Sequence, residues 1–200
     1  MKGQSPRDRF FQDYSRKIVM DKRGKTHVEY VYEGDYYTAE LTGGQWNIRK
    51  AGLLLLLLLS VALLLSAMLT ELTLNHAGDV VLLEVLALFL LMGDGVGMAS
   101  RLVHGRRLRK QEYRMAVKTV TECSFLAACV LAVLFLDITV STLVGRWVWE
   151  APVLGFLVRV LLLLAAQLGM AVLVRREHYT TQVSGDMPHG IDITNDFVNF

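Results

Sequence analysis

Four long apolar runs between residues 49 and 174 dominate the chain. They cover residues 49–71, 80–101, 117–140 and 152–174. Each run is long enough to cross roughly 30 Å of hydrocarbon at about 1.5 Å per helical residue. Inside a bilayer, a single segment satisfies its backbone hydrogen bonds only as a helix. The sequence therefore predicts an all-α membrane protein in which residues 49–174 form a four-transmembrane-helix bundle.

Basic residues orient this predicted bundle. They flank the first and fourth runs and fill the loop between the second and third, whereas residues 71–79 contain no Lys or Arg and residues 141–151 contain only Arg146. The basic residues of the central loop are Arg101, Arg106, Arg107, Arg109, Lys110, Arg114 and Lys118. Because basic loops stay on the cytoplasmic side, we expect a multi-pass protein of the cell (cytoplasmic) membrane with both termini in the cytoplasm. Trp46 fits the cytoplasmic interface as an aromatic anchor.

Residues 1–48 form a polar N-terminal region that contains a strand signal at residues 16–41. Apolar and polar side chains alternate on both sides of a Gly34-Asp35 turn, which is typical of a β-hairpin. The stretch RKIVM at residues 16–20 would add a third strand. The sequence thus predicts a small cytoplasmic β-meander. Because so few strands are marginal in water, we expect it to dock on headgroups, on the central loop or on a partner.

Residues 175–200 form a polar C-terminal tail that is too short for a domain. Its last ten residues, 191–200, alternate apolar and polar side chains. They would either add a strand to the N-terminal meander or to a partner, or remain a loosely held cytoplasmic tail.

Two oppositely charged side chains share one depth near the outer face of the predicted bundle. Glu84 follows the start of the second run, and Arg159 lies about 10 Å into the fourth, with Asp137 near the same face. Because an unpaired charge in a membrane is costly, we expect a Glu84–Arg159 ion pair that fixes the register of two helices. In the alternative hypothesis, Glu84 titrates and couples to a transported ion or substrate.

A second polar group lies closer to the cytoplasmic face. Asp94, Glu122 and Gln167 fall at similar depth in three different runs, so we predict a second polar cluster there. The first run has only Ser60 and Ser66 as polar side chains in its core, and we expect that helix to face lipid most.

Small residues surround Asp94 in the second run. Gly93 and Gly97 are four residues apart, as are Gly95 and Ala99. This small-xxx-small spacing lets helix backbones approach closely, so it predicts a packing face. A local helix break, with Asp94 lining a cavity, is the alternative.

The sequence contains no catalytic or metal-binding motif of the common kinds. It has no G-x-S-x-G, no H-E-x-x-H and no Cys/His spacing typical of zinc sites. We therefore expect no enzymatic activity, no cofactor and no bound metal. The basic loop has no nucleic-acid motif, so we expect it to meet lipid headgroups rather than nucleic acid.

These observations favour a non-enzymatic accessory or scaffold subunit of a membrane complex, of which a transport system is one example. We expect its partners to be the lipid bilayer and either copies of itself or another membrane-protein subunit. The alternative is a small oligomeric transporter or channel that uses its intramembrane carboxylates. A membrane-embedded enzyme built on Asp94, Glu122 and His104 is the weakest hypothesis.

Overall fold

The computed structural model describes residues 14–20, 26–70 and 77–182. Four helices fill most of this chain: α1 (Gly43–Met68), α2 (Gly78–Val103), α3 (Lys110–Leu143) and α4 (Ala151–Arg175). All four are long enough and apolar enough to cross a membrane. The predicted helical runs are therefore confirmed, and the chain is compatible with a membrane protein.

Two of the helices begin about six residues earlier than the apolar runs predict. Helix α1 begins at Gly43 rather than 49 because Thr42 and Gln45 form a capping box. Gln45 N donates to Thr42 Oγ1 at 3.4 Å, and Thr42 N donates to Gln45 Oε1 at 3.1 Å. Helix α3 begins at Lys110 rather than 117, and it contains a π-helical segment at Arg114–Thr119 before its regular part.

The helices pack as a bundle in which α4 contacts α1 and α3, and α2 contacts α1 and α3. Phe156 of α4 and Leu131 and Leu134 of α3 are completely buried in the shared core. Helix α1 has the smallest buried share and α4 the largest, as expected for a first helix that faces lipid most. Large apolar side chains cover the outer surface, including Leu55 and Phe89. Such a surface suits contact with lipid.

In the part of the chain that the structure describes, five short strands lie outside the bundle. Strands β1 (Tyr14–Met20) and β2 (Thr26–Tyr32) form one antiparallel pair. Strand β3 (Tyr36–Ala39) is the central strand of a second sheet, between β4 (Arg107–Arg109) and β5 (Tyr179–Gln182). We call this second sheet the three-stranded sheet. It adjoins the start of α1, the end of α2, the start of α3 and the end of α4, and we call this the sheet end of the bundle.

The predicted meander is correct in its strands and wrong in one pairing. The stretch at residues 16–20 does form a strand with β2. The Gly34-Asp35 segment, however, does not pair β2 with β3, because both edges of β3 are occupied by β4 and β5. Those two strands directly follow α2 and α4, so the bundle already holds them close to β3 and little loop entropy opposes pairing. The predicted strand at residues 191–200 lies outside the described residues.

Candidate functional site

Arg101, at the end of α2, is the largest completely buried side chain described at the sheet end. Its guanidinium forms an ion pair with Glu177, which follows α4, and neither side chain is accessible to solvent. Tyr179 donates its hydroxyl proton to the other oxygen of Glu177 at 2.9 Å. Arg49 of α1 places its Nε 4.0 Å from Glu177, and Arg101 lies 4.6 Å above the ring of Trp46. We call these five side chains the junction. They connect α1, α2, the end of α4 and β5.

The junction carries more positive than negative charge and is incompletely satisfied. Two arginines meet one carboxylate, and the stacking of Arg101 on Trp46 offsets part of the cost of burying the Arg101 guanidinium. Among the described residues, the Nε and Nη1 atoms of Arg101 and the Nε1 atom of Trp46 have no hydrogen-bond partner. Burial raises the pKa of the Tyr179 phenol above its usual range, so Tyr179 stays protonated and remains a donor to Glu177.

Contacts between aromatic rings connect the junction to the three-stranded sheet. The ring of Tyr113, near the start of α3, stacks on Tyr37 of β3 at 4.3 Å and meets Tyr179 of β5 edge-on at 5.0 Å. Arg107 of β4 lies 4.1 Å above the ring of Tyr36. The sheet therefore contacts the bundle through side chains as well as through the covalent chain.

The predicted Glu84–Arg159 ion pair is wrong. Arg159 donates instead to Thr70 Oγ1 at 2.7 Å, at the end of α1. Glu84 is buried, and its Oε1 has no hydrogen-bond partner within the described ranges. Equal depth does not bring two side chains together unless they also face each other around their helices.

The predicted cluster of Asp94, Glu122 and Gln167 is also wrong. Asp94 accepts a hydrogen bond from Ser124 of α3 at 3.0 Å. Gln167 donates to Ser60 of α1 at 2.9 Å. Glu122 is exposed on the outside of α3. The polar residues thus pair locally between different helices rather than with one another.

The polar residues at the bundle end opposite the sheet end are likewise dispersed. Asp137 is half-buried near the end of α3. Close to the same end of the bundle, Arg146 donates to Asp79 at 2.9 Å and links the α3–α4 loop to the start of α2. This exposed ion pair was not anticipated from the sequence.

The four small residues around Asp94 have two different surroundings. Gly93 and Gly97 face α3: a Cβ on Gly93 would lie 2.6 Å from Cys123 Sγ, and one on Gly97 would lie 2.4 Å from Val120 Cγ2. Gly95 has open space instead, and Ala99 is exposed, so the second predicted pair of small residues is not a packing face. Helix α2 continues unbroken through Asp94, contrary to the alternative of a local break.

The junction was not predicted from the sequence. The pattern of basic residues assigned Arg101 only to membrane orientation, and Glu177 had no predicted role. The available signal was that Glu177 is an acidic residue directly after Arg175 and Arg176, in a flank expected to be basic. Its partner is 76 residues away in the chain, and no local pattern identifies such a contact.

In the part of the chain that the structure describes, no group of three or more His, Cys, Asp or Glu side chains is arranged to hold a metal ion. No protein-family model, no curated protein and no solved structure matches the chain.

Proposed function

We propose that the protein is a non-enzymatic accessory or scaffold subunit of a larger membrane assembly. The junction carries this proposal: Arg101 and Glu177 join α2 to the end of α4, while Arg49 and Trp46 add α1. Together with the three-stranded sheet, they turn the helix ends into one connected platform. A rigid platform suits the docking of a partner better than it suits a moving gate.

The polar residues inside the bundle support the same proposal. Ser124 donates to Asp94, and Gln167 donates to Ser60, each between two adjacent helices. These pairs stabilise helix contacts where an unsatisfied polar group is costly. They lie at separate interfaces, so they do not line one shared path.

The distribution of charge supports a cytoplasmic position for the sheet end. The basic central loop and both basic flanks lie there, whereas the single arginine of the opposite loops, Arg146, pairs with Asp79. By the positive-inside rule, the platform and both termini would face the cytoplasm of a cell-membrane protein.

Strand β5 is the feature of the platform best placed to meet a partner. Among the described strands it lies at an edge of the sheet, and the side chains of Thr180, Thr181 and Gln182 are exposed. An exposed edge strand can accept a further strand from another chain. We therefore place the partner contact at β5.

The test is a tagged purification in mild detergent, followed by native mass measurement and identification of whatever co-purifies. We expect a stoichiometric unlike subunit. We also expect Thr181→Lys to weaken its recovery, because a lysine on an edge strand opposes strand addition. Val148→Lys is the matched control, since Val148 is 70% exposed at the opposite end of the bundle. Equal recovery with both variants would contradict a contact through β5.

One observation favours a second candidate, a small oligomeric transporter or channel. Glu84 Oε1 and Asp94 Oδ2 are buried and have no hydrogen-bond partner among the described residues. A homo-oligomer without an unlike subunit would favour this candidate. Ion flux in proteoliposomes should then fall in Glu84→Gln and Asp94→Asn, and should persist in Glu122→Gln, which removes an exposed carboxylate.

A further inference from the structure

A groove at the sheet end of the bundle joins a polar end to an apolar end. It encloses about 390 Å³ between the start of α1 and the end of α4. Its lining residues, which define the lipid groove, are Leu41, Gln45, Ile48, Arg49, Gly52, Leu53 and Leu173. About 12 Å of helix separates Gln45 from Leu53, at about 1.5 Å per residue. That length is enough for a headgroup and the first part of an acyl chain.

The polar end of the lipid groove offers donors and positive charge. Arg49 Nε lies 4.0 Å from Oε1 of Glu177, but Glu177 is already paired closely with Arg101. A second guanidinium lies at the rim, because Arg106 Nη1 donates to Leu41 O at 3.0 Å. Gln45 uses its Oε1 atom for the helix cap, which leaves its amide N–H groups for another acceptor. Guanidinium and amide donors of this kind suit a phosphate.

The apolar end of the lipid groove offers surface to a hydrocarbon chain. A Cβ placed on Gly52 would have no heavy atom within 4 Å, so the helix surface is open there. Leu53 forms the buried floor and Leu173 of α4 a half-buried wall. Ile48, at the edge, is 75% exposed. Acyl carbons lying over Gly52 would cover this surface.

We propose that the lipid groove binds one anionic phospholipid, with its phosphate at Arg49, Gln45 and Arg106 and an acyl chain along Gly52 and Leu173. A free anion would use only the polar end, and a zwitterionic lipid such as phosphatidylcholine would bring a choline cation beside the two guanidinium groups. The cytoplasmic leaflet is the anionic one, which fits this end of the bundle. The inference rests on the membrane placement proposed above and not on the subunit role.

The test is native mass spectrometry of the full chain released from nanodiscs that contain equal amounts of phosphatidylglycerol and phosphatidylcholine with the same acyl chains. We expect one retained phosphatidylglycerol per chain. Arg49→Gln should lower that retention about fivefold, the effect of one basic side chain beside an anionic lipid. Lys50→Gln, an identical charge change at the adjacent residue outside the groove, should change it less than twofold. Equal retention of both lipids, or no effect of Arg49→Gln, would overturn the proposal.

A second variant tests the acyl-chain end without removing any charge. Gly52→Leu places a side chain in open space, so it should fold normally and still reduce phosphatidylglycerol retention. Millimolar inorganic phosphate added to the wild type separates a lipid from a free anion. If phosphate displaces phosphatidylglycerol while Gly52→Leu has no effect, the site binds free anions and the proposal is wrong. Extraction of the chain from membranes by alkaline carbonate would overturn the membrane placement itself, whereas a missing unlike subunit would affect only the proposed function.

Discussion

Arg101 at the end of α2 and Glu177 just after α4 form a fully buried ion pair across 76 residues of chain. The pair fixes the ends of two helices relative to each other. Through the hydroxyl of Tyr179, it also fixes β5 and hence the three-stranded sheet. Burying two charges has a large desolvation cost, so the pair favours this one arrangement of helix ends only while both partners are present.

Removing one partner should therefore lower the free energy of unfolding much more than removing both charges. We expect Arg101→Met to lower the free energy of unfolding by about 3–5 kcal/mol, because Glu177 would keep a buried charge with only the more distant Arg49 beside it. Glu177→Gln in that background should recover a large part of the loss, since it removes the uncompensated charge. Unfolding titrations with sodium dodecyl sulfate in mixed micelles measure both values.

The control for this double-mutant cycle of Arg101 and Glu177 is Arg176→Met, which removes an exposed charge next to Glu177. It should change the free energy of unfolding by less than about 0.5 kcal/mol. Strictly additive losses for Arg101→Met and Glu177→Gln would show that the two side chains do not interact.

The hydrogen bond from Tyr179 to Glu177 predicts a pH dependence. Burial raises the pKa of the Tyr179 phenol above its usual value of about 10. The folded protein keeps this proton where the unfolded chain releases it, so the stabilisation is complete below pH about 10 and is lost as the pH rises further. At pH 7, Tyr179→Phe should be less stable than the wild type by about 1.5–3 kcal/mol, as for a hydrogen bond to a charged group.

The measurement is the difference in unfolding free energy between the wild type and Tyr179→Phe at pH 7, 9 and 11. Other tyrosines titrate in both proteins and cancel. This difference in unfolding free energy should be constant up to pH 9 and about 1.4 kcal/mol smaller at pH 11. That is the linkage value for one proton at about one pH unit above the pKa of the unfolded phenol. A difference that stays constant to pH 11 would place Tyr179 in a solvent-like environment.

The helices and the strands of the N-terminal region were predictable because the signals are local. An apolar run of bilayer length satisfies its backbone hydrogen bonds only as a helix. The alternation of apolar and polar residues identifies β2 as a strand without knowledge of the strand beside it. Strand pairing is not local. Strands β4 and β5 are too short for alternation to show, and β4 lies in a loop whose basic residues suggested only orientation.

The contacts of the charged residues were less predictable, for a geometric reason. Depth along a helix follows from counting residues, but the direction of a side chain depends on how each helix is rotated against its neighbours. Glu84 and Arg159 were predicted at similar depth, yet Arg159 donates to Thr70, two residues after the end of α1. The four-residue spacing predicted packing equally for Gly93 with Gly97 and for Gly95 with Ala99, but only the first pair faces α3, because spacing does not give the rotation of the helix.

The unexpected strand pairing can be tested by cross-linking. Thr38 of β3 lies opposite Thr180 of β5. In a chain whose native cysteines are replaced by alanine, Thr38→Cys with Thr180→Cys should form a disulfide on mild oxidation, since opposed strand residues lie within bonding range. Failure of this disulfide to form, read from mass shifts after thiol alkylation, would remove β5 from the sheet.

The close approach of α2 and α3 gives a matched pair of glycine substitutions. A Cβ on Gly97 would lie 2.4 Å from Val120 Cγ2 and 2.9 Å from the carbonyl oxygen of Met115, in the π-helical segment. We expect Gly97→Ala to lower the free energy of unfolding by about 1–3 kcal/mol, as overpacking does.

Gly95→Ala enters open space and should be neutral or stabilising by up to about 1 kcal/mol, because alanine favours helix more than glycine. Val120→Ala should rescue Gly97→Ala only in part, since the backbone contact with Met115 remains. Equal effects of the two glycine substitutions in the same detergent titration would mean that Gly97 does not lie against α3.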